Sequence, residues 1–204
     1  TPKRFEAFRA AVDADIKGRV KGAENEIRFV MDREKDTHFL IDALHRKEVP
    51  LRVTHNDTKI NNVMIDKNTG AGLCAIDLDT VMPGLSLYDF GDAIRSGANP
   101  AAEDEQDLFK VIMDLSFYEA YTKGYLEEAG SILTPKEIEL LPVSAKVMTL
   151  ECGMRFLTDY LSGDSYFKTQ YPNHNLDRCR TQFKMVSDME QKWDKMNAVV
   201  AQYL

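Results

Sequence analysis

Between Pro50 and Thr80 the chain drops the three- and four-residue apolar spacing that governs it on either side. Leu51-Arg52-Val53-Thr54-His55 is short and β-prone, and two more short apolar runs follow, Val63-Met64-Ile65 and Leu73-Cys74-Ala75-Ile76. Asp66-Lys67-Asn68-Thr69-Gly70 lies between the last two and supplies the turn residues of a hairpin. The middle of the chain therefore holds short strands bearing loops, not a large sheet.

Helix dominates elsewhere. Residues 2–48 read as helix, with Phe5, Phe8, Val12 and Ile16 at helical steps, then Ile27, Val30 and Met31. Gly18 and Gly22 punctuate this block, Asp36–Arg46 forms its second run, and Pro50 ends it. From Ala101 onward, Leu108, Ile112, Leu115 and Tyr118 trace one helical face. Thr134-Pro135-Lys136-Glu137 is a capped helix start. Cys179, Phe183, Val186, Met189, Trp193, Met196 and Val200 keep helical spacing to the end. Such a stripe suits a terminal helix packed on its own domain, with a coiled-coil seam as the alternative. The fold expected is mainly α with a small β-hairpin region. Its parts are a helical entry over 1–50, a loop-bearing middle over 51–97, and a helical subdomain over 98–204.

Composition narrows the function classes. A chain of 204 residues supports one large domain, and 44% hydrophobic with 29% charged residues is ordinary for a globular protein. No apolar run reaches the 18 or so residues of a membrane span, and no signal peptide is visible. A net charge of −7 with dispersed basic residues argues against a nucleic-acid partner. Cys74, Cys152 and Cys179 form no paired framework, so a reducing, cytoplasmic setting is expected.

The chemistry concentrates in His55-Asn56-Asp57-Thr58-Lys59-Ile60-Asn61-Asn62 and in Ala75-Ile76-Asp77-Leu78-Asp79. An Asp and an Asn five positions apart on a loop can converge, and a second Asp arrives 20 residues after the first. Phosphoryl transfer needs such a set: a carboxylate to accept the proton of the attacking hydroxyl, and oxygen ligands for Mg²⁺.

The pattern H-x-D-x-x-x-x-N followed by I-D-x-D resembles the aminoglycoside phosphotransferase superfamily, relatives of the protein kinases. The longer phrase from Val53 to Asn62, and on through Ile76-Asp77-Leu78-Asp79-Thr80-Val81-Met82-Pro83-Gly84 to Tyr88-Asp89-Phe90-Gly91-Asp92-Ala93-Ile94-Arg95, is similar to N-acetylhexosamine 1-kinases. The resemblance implies the C-terminal lobe of a kinase-like fold, ATP and Mg²⁺ as cofactors, and a small-molecule sugar phosphorylated at its anomeric hydroxyl. It makes Asp57 the catalytic base and Asn62 and Asp77 the metal ligands. Asp79 would lie beside the metal, with a solvated or capping role equally open, and His55 would support the loop. Asp89-Phe90-Gly91 spells the metal-binding triplet of protein kinases, but it lies 32 residues beyond Asp57. The resemblance makes Asp89 a buried structural carboxylate bonding the catalytic-loop backbone from the start of a helix. It implies Arg155 and Tyr166 as substrate contacts, with Asp159 as a partner of Arg155 or a surface group.

No glycine-rich phosphate loop and no strand lysine occurs, so the expectation is that the nucleotide-binding lobe is absent and that this chain alone is inactive. Two other classes remain. A serine hydrolase would need G-x-S-x-G, and Gly84-Leu85-Ser86-Leu87-Tyr88 lacks the last glycine. A non-catalytic sugar-binding or regulatory module would be expected to lose Asp57, Asn62 or Asp77, and all three are present. Other acceptors within the phosphotransferases are an amino alcohol, a small amino acid or an aminoglycoside.

Overall fold

A computed structural model describes residues 1–204. Helix α1 (Pro2–Ala14) begins with proline in its first turn, buries Phe5 and Phe8, and stops at Asp15 in the left-handed region. Ile16, assigned to that helix from its spacing, lies beyond the end and is largely exposed. A 3₁₀ turn leads to α2 (Glu24–Met31), and a second one, Glu34–His38, to α3 (Phe39–His45).

The middle holds four strands in two ladders: β1 (Arg52–Thr54), β2 (Val63–Ile65), β3 (Gly72–Ala75) and β4 (Met82–Gly84). The hairpin pairs β2 with β3 antiparallel, Val63 opposite Ala75, with an irregularity between Met64 and Ile65. The other ladder pairs β1 with β4, Arg52 opposite Gly84 and Thr54 opposite Met82. Strand β4 has no sequence signature, because Pro83 sits in it; a two-strand ladder tolerates proline since each strand has a free edge.

Five more helices follow: α4 (Ser86–Gly97), α5 (Leu115–Ala129), α6 (Pro135–Glu139), α7 (Leu141–Ser162) and α8 (His174–Gln191), and then α9 (Trp193–Ala201) closes the chain. The long α7 is apolar on nearly every side, as a helix packed all round must be. It lies against α8, α4 and α1. Two glycines permit these close crossings. A Cβ on Gly91 of α4 would stand 2.5 Å from the Ser144 carbonyl oxygen, and one on Gly153 of α7 would stand 2.6 Å from the Phe183 ring. One apolar cluster fills the space among α3, α4, α5, α7 and α9, and a second that among α1, α2, α7 and α8. No helix is long and apolar enough to cross a membrane.

Two helical expectations fail. Residues 101–114 carry helical spacing but form an irregular segment, and α5 starts only at Leu115. Short polar side chains capture the backbone there: Asn99 accepts from Ala101 N–H, Asp107 from Phe109 N–H, and Asp114 caps α5 through Ser116 and Phe117. The terminal stripe packs on its own domain but is broken at Lys192 into α8 and α9. The break turns α9 back over α5 and α6, and Lys192 Nζ anchors it to the Met113 carbonyl and the Asp188 carboxylate.

Candidate active site

The loop after β1 is held from three directions. Asp89, in the first turn of α4, accepts from the backbone N–H of His55 and of Asn56, each at 2.7 Å. It is half-buried, not buried as expected. Burial pushes its pKa up, against the lowering by those two amides. Thr80 Oγ1 donates to the His55 carbonyl and Asn56 Nδ2 to the Thr80 carbonyl, tying the loop to the approach of β4. Thr58 Oγ1 donates to the Asp89 carbonyl. The rest of the Asp89-Phe90-Gly91 triplet packs the core: Phe90 is buried among Tyr118, Tyr121 and Tyr125, and Gly91 meets α7.

His55 sets the second half of the site. Its Nδ1 accepts from Asp57 N–H at 3.3 Å, which leaves Nε2 to donate to the Ile76 carbonyl at 2.9 Å. The Ile76 N–H in turn donates to the Asn62 carbonyl. The peptide before Asp77 is thus gripped by both ends of the loop. Asp77 follows in the left-handed region at φ 64°, which a short polar side chain tolerates.

Around Asp57 the bonding is one-sided. Lys59 Nζ at 2.9 Å and Asn62 Nδ2 at 2.8 Å both donate to Oδ2, and no hydrogen bond reaches Oδ1. Burial raises the Asp57 pKa, but these two donors and the charges of Lys59 and His55 outweigh it, so the carboxyl titrates below its ordinary range. The arrangement leaves one ionised carboxylate oxygen available to an incoming hydroxyl.

The oxygen donors suit a hard cation. Asn62 spends its Nδ2 on Asp57 and keeps Oδ1 uncommitted, and the Asp77 and Asp79 carboxylates make no hydrogen bond or ion pair. One amide oxygen and one or two carboxylates fit Mg²⁺, which retains waters and shares phosphate oxygens. No group of three or more His, Cys, Asp or Glu side chains is placed to hold a metal ion of any kind, so a cation here would draw also on Asn62, water and phosphate oxygens.

A cleft of about 700 Å³ opens beside Asp57, and Arg155 and Tyr166 line the same cleft. Asn62, Asp77 and Asp79 are not among its walls. The Arg155 guanidinium lies 5.8 Å from the Tyr166 ring centre and 5.4 Å from that of Phe167, with no carboxylate partner. Asp159 does not pair with it. Asp159 is buried and accepts from the N–H groups of Ser165, Tyr166 and Phe167 and from Asn175 Nδ2, shaping the loop that presents Tyr166. Tyr166 is itself 73% exposed, at the rim.

Lys59, Arg95, Glu103 and Arg178 also line the cleft and were not singled out from the sequence. Lys59 and Arg95 both stood in the quoted phrase, but Arg95, Glu103 and Arg178 come together only through folding. Six cationic side chains face the cleft (Arg4, Lys59, Arg95, Arg155, Lys168, Arg178) against four carboxylates (Asp57, Asp92, Glu103, Glu151), in a protein of net charge −7. The serine-hydrolase candidate is not free: Ser86 Oγ donates to buried Glu137.

A family model described as "Phosphotransferase enzyme family" (APH) matches residues 1–130. The matched stretch runs from α1 through α5 and contains Asp57, Asn62, Asp77, Asp79 and Asp89, while Arg155 and Tyr166 lie beyond it. The match takes in well over half of the chain and the whole catalytic-loop network, so the chain belongs to the APH phosphotransferase enzyme family.

Proposed function

We propose that this chain carries the acceptor and metal halves of an ATP- and Mg²⁺-dependent small-molecule kinase whose acceptor is an N-acetylhexosamine, phosphorylated at its anomeric hydroxyl. The observation that carries the reading is the shared cleft: Asp57, whose Oδ1 is free of hydrogen bonds, and the unpaired Arg155 line one cavity. Asp57 orients the acceptor hydroxyl and takes its proton at Oδ1 as the phosphoryl group arrives. Lys59 and Asn62 hold the opposite oxygen and so fix the carboxylate plane. Because the transition state is loose, positioning matters more than basicity, and a carboxyl with a lowered pKa is adequate. Asn62 and Asp77 would hold Mg²⁺, with Asp79 beside them; the bound ion would neutralise charge on the nucleotide phosphates. His55 and Asp89 keep the loop in shape.

Arg155 supplies several donors in a fixed fork, suited to ring hydroxyls and an acetamido oxygen, and Tyr166 and Phe167 offer faces for the sugar ring. The surplus of cations over carboxylates in the cleft disfavours a polycationic acceptor such as an aminoglycoside. The nucleotide would be covered by a further lobe seated on the strand region, where Val53, Met64, Leu73, Leu78 and Met82 are exposed.

The test is product analysis. With that lobe present, incubation with ATP, Mg²⁺ and N-acetylglucosamine or N-acetylgalactosamine should give a sugar 1-phosphate by ³¹P NMR. Phosphorylation confined to amino alcohols or aminoglycosides would overturn the acceptor assignment.

A further inference from the structure

A second cavity of about 470 Å³ adjoins the cleft, and Lys59, Arg95 and Glu103 line both. Its other walls include Asn61, Ser96 and Gln182, and seven of its eight lining residues are polar. That volume lies within the range of small-molecule sites. Gln182 is the informative wall. It is 2% exposed; its Oε1 is sealed from solvent without a partner, and no protein group bonds its Nε2. Buried side-chain amides are almost always satisfied, so an unpartnered one at a cavity wall points to a ligand or to water. The Asn61 amide is likewise free of protein partners, although exposed.

The side chains of Lys59, Arg95 and Glu103 are common to both cavities. Glu103 Oε1 is 3.2 Å from Arg95, and its Oε2 is 3.6 Å from Arg178 Nε, beyond hydrogen-bond range. Arg178, one helical turn before Gln182, leaves that buried Nε without a hydrogen bond. Glu103 is 45% exposed and can swing without moving backbone.

We propose that this cavity is an extension of the acceptor site that takes a second hydroxyl-bearing unit joined to the acceptor sugar, as in a disaccharide with an N-acetylhexosamine at its reducing end. The inference rests on the acceptor reading above. The Asn61 amide both donates and accepts and Gln182 Nε2 donates, which matches sugar hydroxyls, whereas Ser96 Oγ is already bonded to the Ile60 N–H and to the Asp92 and Ala93 carbonyls. The single carboxylate beside Lys59 and Arg95 makes the wall unsuited to a cationic unit.

Calorimetric titration of the chain with N-acetylglucosamine and with disaccharides ending in it tests this. At least one disaccharide should bind about fivefold or more tightly than the monosaccharide, the effect of about one added hydrogen bond. Gln182→Leu and the exposed-site variant Asn61→Ala should each remove that advantage and leave monosaccharide affinity unchanged, with thermal melting verifying the fold of both. Monosaccharide binding with no gain for any disaccharide, or a gain that survives both substitutions, would overturn the extension alone. No binding of any saccharide would overturn it together with the acceptor reading.

Discussion

Asp57 carries two hydrogen bonds on one oxygen and none on the other, and that asymmetry makes its environment testable by substitution. Lys59→Met removes one of the groups that lower the Asp57 pKa, so the acidic limb of the pH–rate profile should move upward. A profile unchanged in the variant would separate Lys59 from the ionisation of Asp57. At the proposed Mg²⁺ site, Asp77→Ala should raise the Mg²⁺ concentration needed for half-maximal turnover by at least about tenfold, read by titrating Mg²⁺ at saturating acceptor. Purified protein should carry no stoichiometric zinc. Asp57, Asn62 and Asp77 could be grouped from the sequence because the proposed chemistry depends on spacing within one short stretch. Arg95, Glu103 and Arg178 were not, because α4, the segment after it and α8 meet only in the folded chain. Asp159 was misread for the same reason. Its i+4 spacing from Arg155 suggests a pair, but the loop after α7 offers three backbone N–H groups, and a buried carboxylate is better satisfied there.

At the scale of elements, helices α4, α7 and α8 depend on two glycine crossings. Gly91→Ala should destabilise by about 1–3 kcal/mol in urea unfolding, since the added methyl meets the Ser144 carbonyl and Met148. Gly124→Ala, in an open position of α5, should stabilise by about 0.5–1 kcal/mol. The strand region is pinned to the helices by buried Glu137, which accepts from Arg52 of β1, Ser86 of α4 and Thr134 N–H in the cap of α6. Burial raises its pKa, but these donors win and bring it down to about 2. A lowered carboxyl pKa stabilises the fold fully above the unfolded value of 4.5, and that stability is lost as pH falls toward 2. Urea midpoints should therefore drop between those limits. Glu137→Gln should flatten the drop and cost on the order of 3 kcal/mol at neutral pH. The capping sequence at Thr134 was readable because capping is local; its long-range partner Arg52 was not. The segment over 101–114 and the break at Lys192 eluded periodicity, since side-chain capture of the backbone and the turn of α9 over α5 overrode it.

Over the whole molecule, the two apolar clusters lie among helices, while the apolar side chains of the strand region face outward. Val53 is 82% exposed. Exposed apolar side chains gathered in one region are what a contact surface presents. Without the proposed covering lobe, the 204-residue chain should self-associate in sedimentation runs and turn over ATP poorly, because the phosphates would be held from one side only. Val53→Lys combined with Leu73→Lys should reduce the association without lowering the melting temperature. A chain that remained monomeric at high concentration would show that this face needs no cover. The central claim is that Asp57 accepts the acceptor proton within the cleft shared with Arg155. Its most direct test is single-turnover phosphoryl transfer to N-acetylhexosamine, comparing wild type with Asp57→Asn in the presence of the covering lobe. The account predicts a rate lower by ~10²–10⁴-fold with acceptor affinity within a few-fold of wild type. Near-normal transfer by the variant would contradict it.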